Sequence, residues 1–533
     1  MKYIIYLFAF YSVVVFAQRP DLSENFKVSV GEPYKRIKTL EEYHFQYGSK
    51  ILSLKKVNKN FIIERHSSTT LNRTPKNTSL AEIGDFIGIE QFKDTVVIFA
   101  RKKNQLHAQK LMITQAKASR PYVFIRENEG ISDNFGFNSR YGYDAGNRIN
   151  AFGIKKSFDN SKFVVVSQVK HKTVEDSGIS SSLNIKVFND DFTLNWKKTL
   201  PLPFSNKELQ AEDFMVDPKG NFYVFATKFK NTSLLATLNK SKDDYDSYVF
   251  RLTKEATQWE TAKLATEKAV GESVLYIDTE KNAVLVGFYS EQEAKGYASG
   301  VFSSKLNDFN NPIATTLHPI TIDTIINYEK RKATQINKGQ RFIDDKEDLE
   351  SLKINKVISN ADGSFNLFAE QRYAERNSSY LNGVTNVYYE YYYRNAYAAK
   401  IDGTGNLLWF NQLPKNQFSN RGKRAMSFVH QRFGGYHYLL YWDMYRNIYK
   451  NVGDFAELLE MKRQEYLFIT SFKINDISGE VTKDPIINSL DVEKQRISSF
   501  QMDKVLRISD NKLILEAHNG RGKNYMIKIE GGY

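Results

Sequence analysis

The chain has 533 residues, of which 41% are hydrophobic, 26% charged and 14% aromatic, with 29 Gly, 11 Pro and no cysteine. That composition excludes a disordered or collagen-like chain. The missing cysteine excludes thiol catalysis, iron–sulfur clusters, zinc fingers and a disulfide framework. A formal net charge of +14, dispersed along the chain, fits a plain basic surface first and otherwise a field for anionic polysaccharide, lipid headgroups or an acidic partner.

In chain order, Met1-Lys2 is a short basic start, and Tyr3 to Phe16 is apolar without a charge. Val15-Phe16-Ala17 then offers a cleavage site before Gln18. The pattern predicts a signal peptide over 1–17, too short for a comfortable membrane span. Export follows as an expectation: periplasm, outer-membrane periphery or extracellular space. No later stretch approaches ~20 apolar residues, so no transmembrane segment is expected after signal removal, and nucleic acid is not an expected partner. An exported chain without disulfides must be held together by burial.

From residue 50 onward one hairpin pattern recurs. A polar turn joins two apolar runs at Asn58-Lys59, Lys93-Asp94, Asp159-Asn160, Asp217 to Asn221, Asp278 to Asn282, Asn360 to Ser364, Gly434-Gly435 and Asp510-Asn511. Asn, Asp and Gly suit such turns, and the β-branched and aromatic runs beside them suit strands. Further strands follow, ending in pairs such as Lys400-Ile401 and Lys473-Ile474. Trp196, Trp259 and Trp409 stand at similar offsets after those turns. Four antiparallel strands per repeat predict an all-β fold: a single β-propeller of seven or eight four-stranded antiparallel blades over 50–533, with loop insertions. The first two hairpins lie close together, which leaves the blade count between seven and eight. The last repeat shows three strands. The 18–49 segment, through Phe26 to Val30 or Tyr34 to Thr39, is placed to supply the fourth and close the ring.

Insertions suggest one functional face. Residues 119–148 carry Gly130, Gly136, Gly142 and Gly146, and 320–350 end in Asp344-Asp345-Lys346-Glu347-Asp348. Asp454-x-x-Glu457 predicts a capping box that opens a short helix. Tyr388, Tyr389, Tyr391, Tyr392 and Tyr393, with Tyr436 and Trp442, are the candidate ligand-binding residues. Such rings stack on a sugar or peptide and still hydrogen-bond through a polar tip, while at alternating strand positions they equally suit blade-to-blade packing.

Catalytic signatures are missing. There is no Gly-x-Ser-x-Gly, no His-Glu-x-x-His and no phosphate loop. His430 and His437 fall on successive strands of one hairpin and can meet, but zinc needs a third ligand that the sequence does not name. The acidic runs lack the glycine of a calcium loop. No catalytic residue, metal or cofactor is therefore expected.

The stretch from Asn395 to Lys415, with Asp402-Gly403-Thr404-Gly405 before Trp409, resembles blade hairpins of quinoprotein-like and other exported bacterial propellers. It is also similar to uncharacterised secreted propeller-like proteins of Gram-negative bacteria. The resemblance implies the fold. The chain lacks the tryptophan motif in most repeats, and it lacks the cysteine pair that some quinoproteins carry, so cofactor and activity do not carry over. The expected function is an exported, non-catalytic β-propeller binding or scaffold protein of the bacterial cell envelope, with a protein or an anionic glycan as partner. The alternative is a propeller hydrolase or lyase acting on carbohydrate.

Overall fold

The computed structural model describes residues 21–39, 41–74, 78–81, 83–115, 117–127, 130–132, 151–169, 182–205, 208–230, 245–291, 298–320, 349, 351–381, 384–420, 425–461 and 467–532. The segment 1–17 expected to be a signal peptide, the acidic run at 344–348 and the glycines at 136, 142 and 146 lie outside the described residues.

Eight sheets follow one another along the chain, each built on four antiparallel strands. Blades 1 to 7 span 41–81, 85–126, 152–201, 209–265, 269–319, 352–413 and 428–488. Blade 8 spans 499–531 and takes its fourth strand from Phe26–Val30. Second strands such as Thr95–Lys102, Phe222–Phe229 and Ala283–Ser290 are buried almost without interruption. A strand buried on both faces needs a layer on each side. Leu54 meets Ile98, Phe99 meets Phe163, and Val166 meets Val224 in shared cores. Phe225 joins Leu285, Val286 joins Leu367, and Leu440 joins Leu515 in the same way. Ile51 of blade 1 then packs with Ile514 and Met526 of blade 8. That last contact makes the array a closed ring, an eight-bladed β-propeller.

The first hairpin of the repeat is out of phase with the others. Asn58-Lys59 joins the second and third strands of blade 1, whereas the other seven turns join first to second strands. The first-to-second turn of blade 1 is Gly48-Ser49. This offset explains the short spacing and fixes the count at eight.

First strands of neighbouring blades touch and line the axis. Lys156 pairs with Glu90 at 3.4 Å, Lys353 with Glu272 at 3.2 Å, and Lys155 with Asp213. Gln91 Nε2 donates to the Gln46 carbonyl at 2.8 Å. The seam of the ring is zipped by Phe26↔Gly531 through Val30↔Ile527, and Tyr34–Lys35 pairs with the same last strand. Phe26 sits edge-on to Phe433 and Tyr438, at 5.3 and 5.1 Å. A Cβ on Gly531 would lie 2.1 Å from the Phe433 ring, so only glycine fits.

Strand alternation sorts the connections. First-to-second and third-to-fourth turns emerge at one end of the ring, and the remaining connections emerge at the other. The first end is built of tight Asx turns. Asp217 accepts from the Asn221 amide at 2.8 Å, Asp278 from Asn282 at 2.8 Å, and Asp402 from Asn406 at 2.7 Å. The tryptophans that follow the blade turns tie blades together. Trp196 Nε1 donates to the Gly220 carbonyl at 2.9 Å, Trp409 to Asp476 at 3.3 Å, and Trp259 to Pro201 at 2.8 Å. The strand ends at Arg126, Gln168, Phe229, Pro319, Leu413 and Met444 lie at the other end. Among the described residues no helix is long and apolar enough to cross a membrane.

Candidate functional site: an aromatic arm at the loop end

Among the described residues the largest departure from the blade plan is in blade 6. Its second and third strands, Phe365–Leu381 and Val384–Ile401, run far past the sheet. The first strand stops pairing at Gln371 and the fourth at Ala396. Beyond that point the two strands continue as a ribbon to Leu381↔Val384. At ~3.3 Å per residue, its nine residues from Tyr373 reach about 30 Å from the blade. No third strand among the described residues pairs with 374–381 or 384–390.

Period-two alternation decides where each tyrosine goes. Tyr391 and Tyr393 face inward and are buried with Met426, and Tyr389 packs partly against the same cluster. Tyr392 faces the other way. It stacks on Tyr373 across the ribbon at 5.0 Å and lies 5.1 Å from Phe418. The Arg394 guanidinium stands 5.6 Å from both tyrosine rings. Glu375 and Glu390 are cross-strand neighbours on this face. Asn377 donates to Glu390 at 2.9 Å and Tyr392 Oη at 3.2 Å. Burial, then these two carboxylates, push the Tyr392 phenol up to about 12. Farther out Tyr388 is 41% exposed, Val387 46% and Tyr380 75%.

The other two candidates do not join this group. Tyr436 begins the second strand of blade 7 at the tight-turn end, under Lys473 at 4.5 Å. Trp442 lies on the same strand, 1% exposed and 4.7 Å from Phe500 in the core between blades 7 and 8. The alternation that buries a central strand removes Trp442 from any surface platform. Conversely, Tyr373, Arg394 and Phe418 were missed in the sequence. Tyr373 and Phe418 become visible only once Tyr373↔Tyr392 and Tyr392↔Phe418 are paired.

The arm has a braced base. Gln417–Ser419 pairs with Tyr391 to Tyr393, and Leu459–Glu460 pairs with Gln417 and Phe418. Beneath them Lys415 Nζ reaches Glu370 at 2.6 Å, the Tyr393 carbonyl at 3.1 Å and Gln417 at 3.2 Å, fully buried. Burial lowers the Lys415 ammonium pKa, and Glu370 opposes it. Ser427 Oγ donates to Glu370 at 2.7 Å. The expected helix after Asp454 is not formed. Among the described residues of 444–461 the helical turn is Tyr445–Ile448, and Leu459 enters the arm's sheet instead. The Glu457 amide donates to Asn447 Oδ1 at 2.8 Å, so side-chain capping of a helix is not needed there.

His430 and His437 do meet, with Nε2 and Nδ1 3.0 Å apart. Their other nitrogens face Lys356 at 3.5 Å and Asp476 at 3.0 Å, so neighbours occupy all four. Asp476 also holds Lys400 and Arg432. Burial depresses both imidazoles below their ordinary pKa, despite Asp476 beside His437. Lys356, Arg507 and Arg432 add to the effect at His430. The unfolded chain therefore binds protons that the folded chain refuses. Stability is complete above about pH 6.5 and is lost as pH falls below it, by about 1.4 kcal/mol per pH unit for each histidine. Urea midpoints between pH 7 and 5 check this. A His437→Gln chain whose midpoint declines as steeply as wild type would refute it.

At the tight-turn end a groove of about 800 Å³ lies between blades 5 and 6, lined by Asp278, Glu280, Asp308, Asp362 and Asp402. Four of these acids close their own turns, accepting from Asn282, Asn310, Ser364 and Asn406. The axial acids Glu90, Asp213 and Glu272 each pair with a lysine of a neighbouring blade.

No protein-family model matches the chain, and no curated protein matches it. Among solved structures it is similar to an uncharacterised protein of Listeria monocytogenes, with TM-score 0.38 and 9% identity over 83% of this chain and 94% of that one. It is likewise similar to the WD40 domain of SCAP from fission yeast, with TM-score 0.35 and 10% identity over 96% and 95%. Against a prolyl endopeptidase, with TM-score 0.35 and 8% identity, 93% of the chain aligns but spans only 55% of that protein.

Proposed function

We propose that this chain is an exported, non-catalytic propeller that binds or scaffolds a protein partner in the bacterial cell envelope, and that the arm of blade 6 is its docking element. The arm carries the reading. A lone two-stranded ribbon is marginally stable in water, and this one presents Tyr380, Val387 and Tyr388 to solvent beyond its braced base. Its outer edges offer backbone groups for strand addition, and its stacked Tyr373, Tyr392 and Arg394 offer an aromatic anchor. The leader at Met1 to Ala17 supports export.

Photo-crosslinking from position 388, with position 436 as the control at the opposite end, tests the assignment in envelope extracts. A discrete protein adduct at 388 alone is expected. Tyr373→Ser with Tyr392→Ser should weaken it about 30-fold, the loss of one anchor worth ~2 kcal/mol. Adducts only at 436, or capture of glycan in place of protein, would sink the arm as a protein-docking element.

A further inference from the structure

Ring closure gathers an unusual set of side chains between blades 1 and 8. Glu42 and His44 come from the first strand of blade 1, Lys55 from its second, and Glu64 and His66 from its third. Glu516 comes from the second strand of blade 8, and Tyr34 covers the set. Six of the seven are buried, and the His44 side chain is 2% exposed. Lys55 Nζ bridges Glu64 at 2.6 Å and Glu516 at 2.5 Å, and Arg73 holds Glu64 at 2.9 Å. Asn524 donates to Glu516, and Gln501 donates to Glu42 at 3.2 Å.

Donor geometry marks a gap in this set. Ser53 Oγ fixes His44 Nδ1 at 2.8 Å, which leaves Nε2 3.8 Å from Glu516 Oε2. Neither atom has a hydrogen bond. One donor atom each from Glu42, His44 and Glu516 lie within 4.8 Å of one another.

We infer that Glu42, His44 and Glu516 form a site for a divalent first-row cation of the Zn(II) or Mn(II) class. One imidazole with two carboxylates suits these ions, whereas Ca²⁺ and Mg²⁺ prefer all-oxygen shells. Bonds of ~2.0–2.2 Å place tetrahedral ligand atoms about 3.4 Å apart, so the three donors must draw together around the ion. Ser53 on the far ring nitrogen orients the imidazole as an outer partner does in metal sites. The ion would join the first blade to the last.

The full-length chain, dialysed against chelator, is titrated with Zn(II), Mn(II), Mg(II) or Ca(II), and bound metal and Tm are measured. One Zn(II) or Mn(II) per chain is expected, with a Tm that climbs with ion concentration. Mg(II) and Ca(II) should leave it unmoved. His44→Gln and Glu42→Gln should each abolish the rise, and His107→Gln should keep it. Glu516 is left intact because Lys55 depends on it. If His44→Gln fails to fold, Glu42→Gln is read alone. Absence of binding at micromolar ion, or a Tm rise that survives both site variants, would overturn the site.

Discussion

Deleting residues 21–31 is expected to open the ring. The last strand would lose its outer neighbour along five residue pairs, and Phe433 and Tyr438 would lose the ring of Phe26. Ile527 and Ile529, now fully buried, would then lie in an exposed edge strand. Phe26→Ala alone should cost about 3–5 kcal/mol, the usual range for truncating a buried aromatic. Deletion should cost more and should bring concentration-dependent aggregation. Urea unfolding followed by fluorescence, with light scattering alongside, measures both. A deleted chain that stays monomeric with an unshifted midpoint would show that the closing strand contributes nothing.

Lys415→Met should be the most damaging single change near the arm. It leaves Glu370 charged, buried and without its cation, and it frees the Tyr393 carbonyl. Breaking such a pair from one side typically costs about 3–5 kcal/mol, while replacing both partners with apolar groups is close to neutral. Lys415→Met with Glu370→Leu should therefore recover most of the loss. The arm gives a second readout. In the single variant, protease should cut within 372–395 sooner than in the wild type, and in the double variant the rate should return toward normal. Equal stability of single and double variants would mean that the pair is not coupled.

The hairpins were legible in the sequence because their turns use Asp, Asn and Gly at fixed offsets, a signal that survives without any alignment. Blade 1 was harder to read, since Gly48-Ser49 is a shorter turn signal than Asn58-Lys59. The tyrosine cluster was visible as composition, but composition does not say which face a residue takes. Register does, and it sends Tyr391 and Tyr393 inward while leaving Tyr392 and Tyr388 outside. Trp442 was grouped with the tyrosines by composition, yet it is buried, and the Asp443 beside it is buried and hydrogen-bonded to Asn447 at 2.7 Å. The seam between blades 1 and 8 could not be read at all. Glu42 and Glu516 meet only because the ring closes, and no local pattern records a contact between strands so far apart in the chain.

That closure also shapes how the molecule reaches its native state. Each blade is assembled almost wholly from neighbouring segments, so most sheets can form as soon as their own strands are available. Blade 8 cannot, because its fourth strand is Phe26–Val30 and its third ends at Gly531. The entropic cost of so long a loop is modest, rising only ~0.6 kcal/mol per doubling of length. The search is nonetheless non-local, and non-local pairing slows folding. Kinetics should accordingly show a late phase that carries the docking of the closing strand, with a partly assembled ring as the species before it.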